Sequence, residues 1–166
     1  GMPVGPLALN DETAIDLSQK ILKATLADLG EKAVDPRHVE LVDKLVNEFD
    51  RKGRKNGKGF YEYPAKPAKK HLWAGLKDLY PQQNPDKIDV NELKERFLVT
   101  IALEAARVME EGIVTDPREA DVGSILAFGF APYTGGTLSY IDGMGAKKFV
   151  KLAKELQRKY GQQFKA

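Results

Sequence analysis

The 166-residue sequence predicts an all-α fold made of two related helical units, the first one truncated. Three observations predict it. Apolar residues recur at three- and four-residue spacing in long stretches bounded by capping residues, Pro and Gly. Clusters of Val, Ile and Thr show no sustained alternation, so no sheet is expected. A pattern also occurs twice: residues 3–30 and residues 132–161 each open with a Pro, a Gly-containing turn, a small apolar patch and an Asp. Asp11 precedes Gly30 by 19 residues, Asp142 precedes Gly161 by 19, and Lys20 and Lys23 fall in register with Lys151 and Lys154. Several matches in one register indicate a duplicated unit.

Residues 3–11 read as a turn, because Gly5 and Pro6 oppose regular helix. A helix is expected over residues 13–29, with Ile15, Ile21, Leu22 and Leu29 at helical spacing and Gly30 as its stop. Asp35-Pro36 is a cap followed by Pro at the first helical position, and Val39, Val42, Leu45, Val46 and Phe49 form the buried stripe of that helix. Residues 51–63 break the pattern. Three glycines and five basic residues occur there, ahead of or alongside Phe60, Tyr61 and Tyr63, which suits a glycine-rich loop. Residues 65–70, between Pro64 and the lysines, read as an exposed linker.

Leu72, Leu76 and Leu79, with Trp73 and Tyr80, make a short helix that Pro81 ends. Asp89 and Glu92 have the spacing of a capping box. The long helix after them, residues 90–111, puts Leu93, Phe97, Ile101, Ala105, Val108 and Met109 on one face, and Gly112 closes it. Asp116 and Pro117 start another helix, in which Val122, Ile125 and Leu126 are expected to face inward until Gly129. After a turn at Pro132 the last helix runs from about Ala146 to Tyr160 on an apolar face of Phe149, Leu152, Ala153 and Leu156. The expected organisation is residues 1–63 as the C-terminal half of a first unit, 64–88 as a linker with a short helix, and 89–166 as a complete second unit. The first unit lacks an opening helix, so the chain is expected to be cut from a longer protein or encoded short.

Composition narrows the function. The chain is 42% hydrophobic and 30% charged, ordinary for a folded domain, and its net charge of +2 does not by itself imply nucleic acid or a membrane as partner. Without Cys there is no disulfide or thiolate metal site. No run of 18 apolar residues and no basic-then-apolar leader is present, and a cytoplasmic location is expected.

A dinucleotide site needs a strand, a glycine-rich turn and a helix. Only Gly57-Lys58-Gly59 and Gly143-Met144-Gly145 are offered, and the third Gly is replaced by Glu62 and Lys148, so no NAD site is expected in this chain. His38 near Asp35 and His71 among lysines read as surface or capping residues rather than general bases. The carboxylates are scattered, so no metal site is expected. The basic loop is first of all a solvated loop. A second reading has Arg54, Lys55 or Lys58 meeting an anionic ligand such as coenzyme A. An RNA reading rests on Lys58-Gly59-Phe60 and fails at Tyr61, where a small residue is wanted. Phe97, Met109, Phe128 and Phe149 read as core.

Pro3-Val4-Gly5-Pro6 with Asp11, followed by Gly53-Arg54-Lys55-Asn56-Gly57-Lys58-Gly59-Phe60-Tyr61, resembles the C-terminal helical domain of L-3-hydroxyacyl-CoA dehydrogenases. Glu110-Glu111-Gly112-Ile113, Glu119-Ala120-Asp121, Gly129-Phe130-Ala131-Pro132 and Gly135-Gly136 resemble a second copy of it, as in the multifunctional fatty-acid oxidation enzymes. The chain departs from the pattern at Asn56, where the family has Ser or Thr, and at Glu95-Arg96, where the first copy would have Asn-Arg. The resemblance implies a parent that oxidises L-3-hydroxyacyl-CoA with NAD, the NAD and the His-Glu catalytic pair being held by a Rossmann domain absent from these residues. It implies that Pro3, Val4, Gly5 and Pro6 lie near the acyl-CoA cleft, and that the two units pack as a pseudo-dimer. This chain alone is then expected to be inactive, and its uncovered apolar surface predicts a homo-oligomer. The alternative is a stand-alone, non-catalytic helical interaction module.

Overall fold

A computed structural model describes residues 2–166, and they divide into two compact units, Val4–Gln82 and Gln83–Ala166, residues 2–3 grouping with the latter. In the unit Val4–Gln82, helix α1 (Pro6–Thr13) is followed by α2 (Ile15–Leu29) and a 3-10 turn at Glu31–Ala33. Helix α3 (Pro36–Asp43) runs on into a π-helical turn at Lys44–Glu48. A 3-10 turn at Arg54–Asn56 leads to strand β1 (Tyr61–Glu62), which pairs antiparallel with β2 (His71–Leu72), Tyr61 opposite Leu72, before the one-turn helix α4 (Leu76–Leu79). The core is Ile15, Val42, Leu45, Val46 and Phe60, with Trp73 and Leu76 packed against it. Residues 71–79 are therefore part of this unit's packing.

In the unit Gln83–Ala166, the long helix α5 (Val90–Glu110) is followed by α6 (Pro117–Phe128), α7 (Thr137–Met144) and α8 (Ala146–Tyr160). Val99, Ala102 and Leu103 of α5 bury against Phe149, Ala153 and Leu156 of α8 and against Phe164. The caps form where the sequence places them. Asp35 accepts from the Arg37 amide, Asp116 from that of Arg118, and Asp89 from those of Asn91 and Glu92. Glu92 does not complete the capping box, because its carboxylate goes instead to Lys159 and the Tyr160 hydroxyl of α8.

The all-α expectation holds, and four local readings are corrected. Residues 6–13 are helical. Pro6 takes the first position, where the missing N–H would have had no partner, and Gly5 takes the cap. Residues 137–144 are helical as well: Gly136 turns the chain at φ 123°, and the Asp121 carboxylate accepts from the Leu138 and Ser139 amides of the first turn. A two-residue hairpin pairing exists where no sheet was expected. The stripe expected inward on α5 is the less buried one: Phe97 is 64% exposed, and on α6 Leu126 is 80% exposed and Val122 faces outward too. Phe97 and Phe128 are not core, whereas Phe149 is.

The repeated register also appears as structure. Eight residues of α1, one residue in an unusual backbone conformation, fifteen residues of α2, a Gly and a 3-10 turn recur as α7, Gly145, α8, Gly161 and a 3-10 turn, at a constant offset of 131. Among the described residues no helix is long and apolar enough to cross a membrane.

Candidate functional site: the basic loop around Asp11

The loop after α3 is folded around one buried carboxylate. Asp11, near the end of α1, is 1% exposed. One of its oxygens accepts from the Phe60 amide at 2.7 Å, and the other from the Tyr61 amide and the Tyr63 hydroxyl, both at 2.9 Å. The approach is so close that a Cβ on Gly59 would overlap the Asp11 carboxylate and one on Gly53 its carbonyl oxygen. The loop therefore needs glycine at both positions, and at Gly53 the backbone adds φ 100°. Burial, then the bond to Asp11, pushes the Tyr63 phenol well above its ordinary value, since ionising it would set a second anion beside the first.

Arg51 closes the loop from behind. It is almost fully buried, donates to the carbonyls of Gly59 and Tyr61, pairs with Glu62 at 2.8 Å and stacks over the Trp73 ring at 4.3 Å. Asn56 ties the turn together, accepting from the Lys52 amide and donating to the Asp50 carbonyl. An amide does both jobs, which gives a local reason for Asn at this position.

The basic side chains singled out from sequence all have partners. Arg54 meets Glu12 at 2.6 Å, Lys55 meets Asp16 at 2.5 Å, and Lys58 meets Asp50 at 3.1 Å, where Lys52 also binds. Lys55 holds the Asp16 carboxyl below its usual range, and Lys52 with Lys58 does the same for Asp50. The Arg54–Glu12 and Lys58–Asp50 pairs are well exposed, so each is worth little to stability, whereas Asp16 under Lys55 is only 23% exposed. Pro3, Val4, Gly5 and Pro6 are exposed at the entry to α1. His38 and His71 are both exposed. Among the described residues no cluster of His, Asp and Glu is placed to hold a metal.

Neither glycine pair that the sequence offers sits in the strand–turn–helix setting of a dinucleotide site. Gly59 faces the Asp11 carboxylate, where a phosphate would be repelled, and Gly143 to Gly145 joins two helices rather than a strand and a helix. Sequence reasoning used Asp11 only as a marker of the repeat and missed it as the loop's anchor. The available signal was the glycine-rich loop with no ligand of its own. Its counterpart Asp142 is exposed.

Residues 1–63 match the 3-hydroxyacyl-CoA dehydrogenase, C-terminal domain family. The chain is also similar to the fatty acid oxidation complex subunit alpha of Shewanella loihica, at 42% identity over 167 residues, and to that of Shewanella amazonensis, at 43% over 168. In both comparisons 99% of this chain is covered but only 23% of the relative, so the chain spans about a quarter of their length.

Proposed function

We propose that the chain, whose residues 1–63 match the 3-hydroxyacyl-CoA dehydrogenase C-terminal domain family, is the C-terminal helical portion of an NAD-dependent 3-hydroxyacyl-CoA dehydrogenase of fatty-acid β-oxidation. In this reading it supplies part of the acyl-CoA cleft and an assembly surface, while a separate Rossmann domain brings NAD and the catalytic groups. The observation that carries it is alignment of 99% of the chain with fatty acid oxidation complex alpha subunits. The recurrence of two helices and a turn at a fixed offset supports descent of its two units from one duplicated domain.

Within that reading Pro3, Val4, Gly5 and Pro6 border the cleft, and Arg54, Lys55 and Lys58 exchange their carboxylate partners for coenzyme A phosphates. Apolar faces such as Leu17, Ile21 and Leu29 of α2 support assembly into a homo-oligomer, and the protein works in the cytoplasm. In this reading the chain alone is inactive, the hydride chemistry belonging to the separate nucleotide-binding domain. A second reading, a non-catalytic interaction module, draws on the same ion pairs, which leave the loop's cations satisfied without a ligand.

Reconstitution tests the proposal. The chain is mixed with the nucleotide-binding domain of a fatty acid oxidation complex alpha subunit, and reduction of NAD by L-3-hydroxybutyryl-CoA is followed. Activity that needs both pieces supports the reading. Activity of the nucleotide domain that the chain does not change supports the interaction module.

A further inference from the structure

Helix α1 sets two neighbouring carboxylates against the basic loop, and they do opposite things. Asp11 is buried and takes the Phe60 and Tyr61 amides and the Tyr63 hydroxyl, which fixes the loop backbone. Glu12, the next residue, reaches the Arg54 guanidinium at 2.6 Å. The turn that carries Arg54 is held without that pair. Gly57 donates to the Arg54 carbonyl, the Gly53 and Lys58 backbones bond to each other, and Asn56 ties the turn to Lys52 and Asp50. Glu12 therefore occupies a cation whose position the loop has already set.

The three ion pairs of the loop are not equivalent. Parting Lys55 from Asp16 would leave a partly shielded carboxylate without its cation. Lys58 shares Asp50 with Lys52, so that carboxylate keeps a cation whichever lysine moves. Arg54 and Glu12 are 64% and 40% exposed, and separating them returns both charges to water. A surface pair of this kind holds by about fivefold at most. Glu12 is tethered, so it outcompetes a free carboxylate through its high local concentration. A phosphate monoester brings a second charge and a bidentate fit to the guanidinium, and can displace it.

We propose, resting on the reading in which Arg54 meets a coenzyme A phosphate, that Glu12 is a built-in competitor for that site. It holds the guanidinium while the site is empty and gives it up to a phosphate of the ligand. Asp11 builds the loop, and Glu12 sets the affinity at which the loop fills.

The test is calorimetric titration of the full chain with acetoacetyl-CoA at one fixed ionic strength. Glu12→Gln keeps the length of the side chain and removes its charge, and is expected to bind about fivefold more tightly than the wild type. In an Arg54→Ala background the same change is expected to alter affinity by less than about twofold, because no guanidinium is left to compete for. Glu31→Gln, on the turn after α2, removes an equal charge without touching the loop and likewise changes affinity by less than about twofold. Equal binding by the wild type and Glu12→Gln overturns the competitor and leaves the coenzyme A reading standing. Tightening by Glu12→Gln that persists without Arg54, or that Glu31→Gln reproduces, overturns it too, since a general charge effect needs no particular guanidinium. Heat from Glu12→Gln and none from the wild type supports the competitor. No heat from either overturns both the competitor and the reading it rests on.

Discussion

The carboxylate of Asp11 occupies the space that a side chain on Gly59 would need. One carboxylate on α1 thereby orders a loop some fifty residues away, by taking two of its amides and a phenol. Removing the acceptor strands buried donors. Asp11→Ala is expected to destabilise the unit Val4–Gln82 by about 3 kcal/mol or more, read as a lower urea midpoint. Asp11→Asn recovers little, because its NH2 group turns one acceptor into a donor facing donors.

The glycines of the loop separate two causes. Gly59→Ala meets Asp11 and should cost about 3 kcal/mol. Gly57→Ala meets nothing within 4 Å but sits at φ 78°, and should cost only about 1 kcal/mol. Equal effects of the two changes in urea unfolding would refute the close approach.

Ala14 joins α1 to α2 at φ 77° and ψ 124°, where the corresponding junction of α7 and α8 has Gly145 at φ 88° and ψ 126°. A Cβ in this conformation is strained. Ala14→Gly should therefore stabilise the protein by about 1 kcal/mol, visible as a raised thermal midpoint, despite the greater freedom of Gly in the unfolded chain.

Tyr63 sets an alkaline limit. Its folded pKa lies above the unfolded value of about 10, so the contribution is fully present below pH 10 and is lost as pH rises from there towards the folded value. Unfolding at pH 9, 10 and 11 should show stability falling across that window. Tyr63→Phe should flatten the fall while lowering stability at neutral pH by about 1 kcal/mol.

The sequence made the bounds of α5, α6 and α8 readable through Asp caps, Pro, Gly and periodic apolar residues, and α8 follows its stripe of Phe149, Ala153 and Leu156. It did not show α1 or α7. Each is eight residues long and begins beside Gly and Pro or Gly and Gly, which read as turn from composition alone. Nor did it tell the two apolar faces of α5 apart. Periodicity reports that Leu93, Phe97 and Ile101 share a side, but it cannot report which side α8 takes. The basic loop was legible as basic. Its neutralisation by Glu12, Asp16 and Asp50 was not, since two of those acids lie about forty residues away in sequence and meet it only through the fold.

The central claim is that this chain carries part of an acyl-CoA site, and calorimetric titration with acetoacetyl-CoA tests it most directly. The account predicts saturable heat that is unchanged by NAD and falls about tenfold in affinity in the Arg54→Ala, Lys55→Ala, Lys58→Ala triple variant. No heat, or heat that the triple variant leaves unchanged, would contradict it.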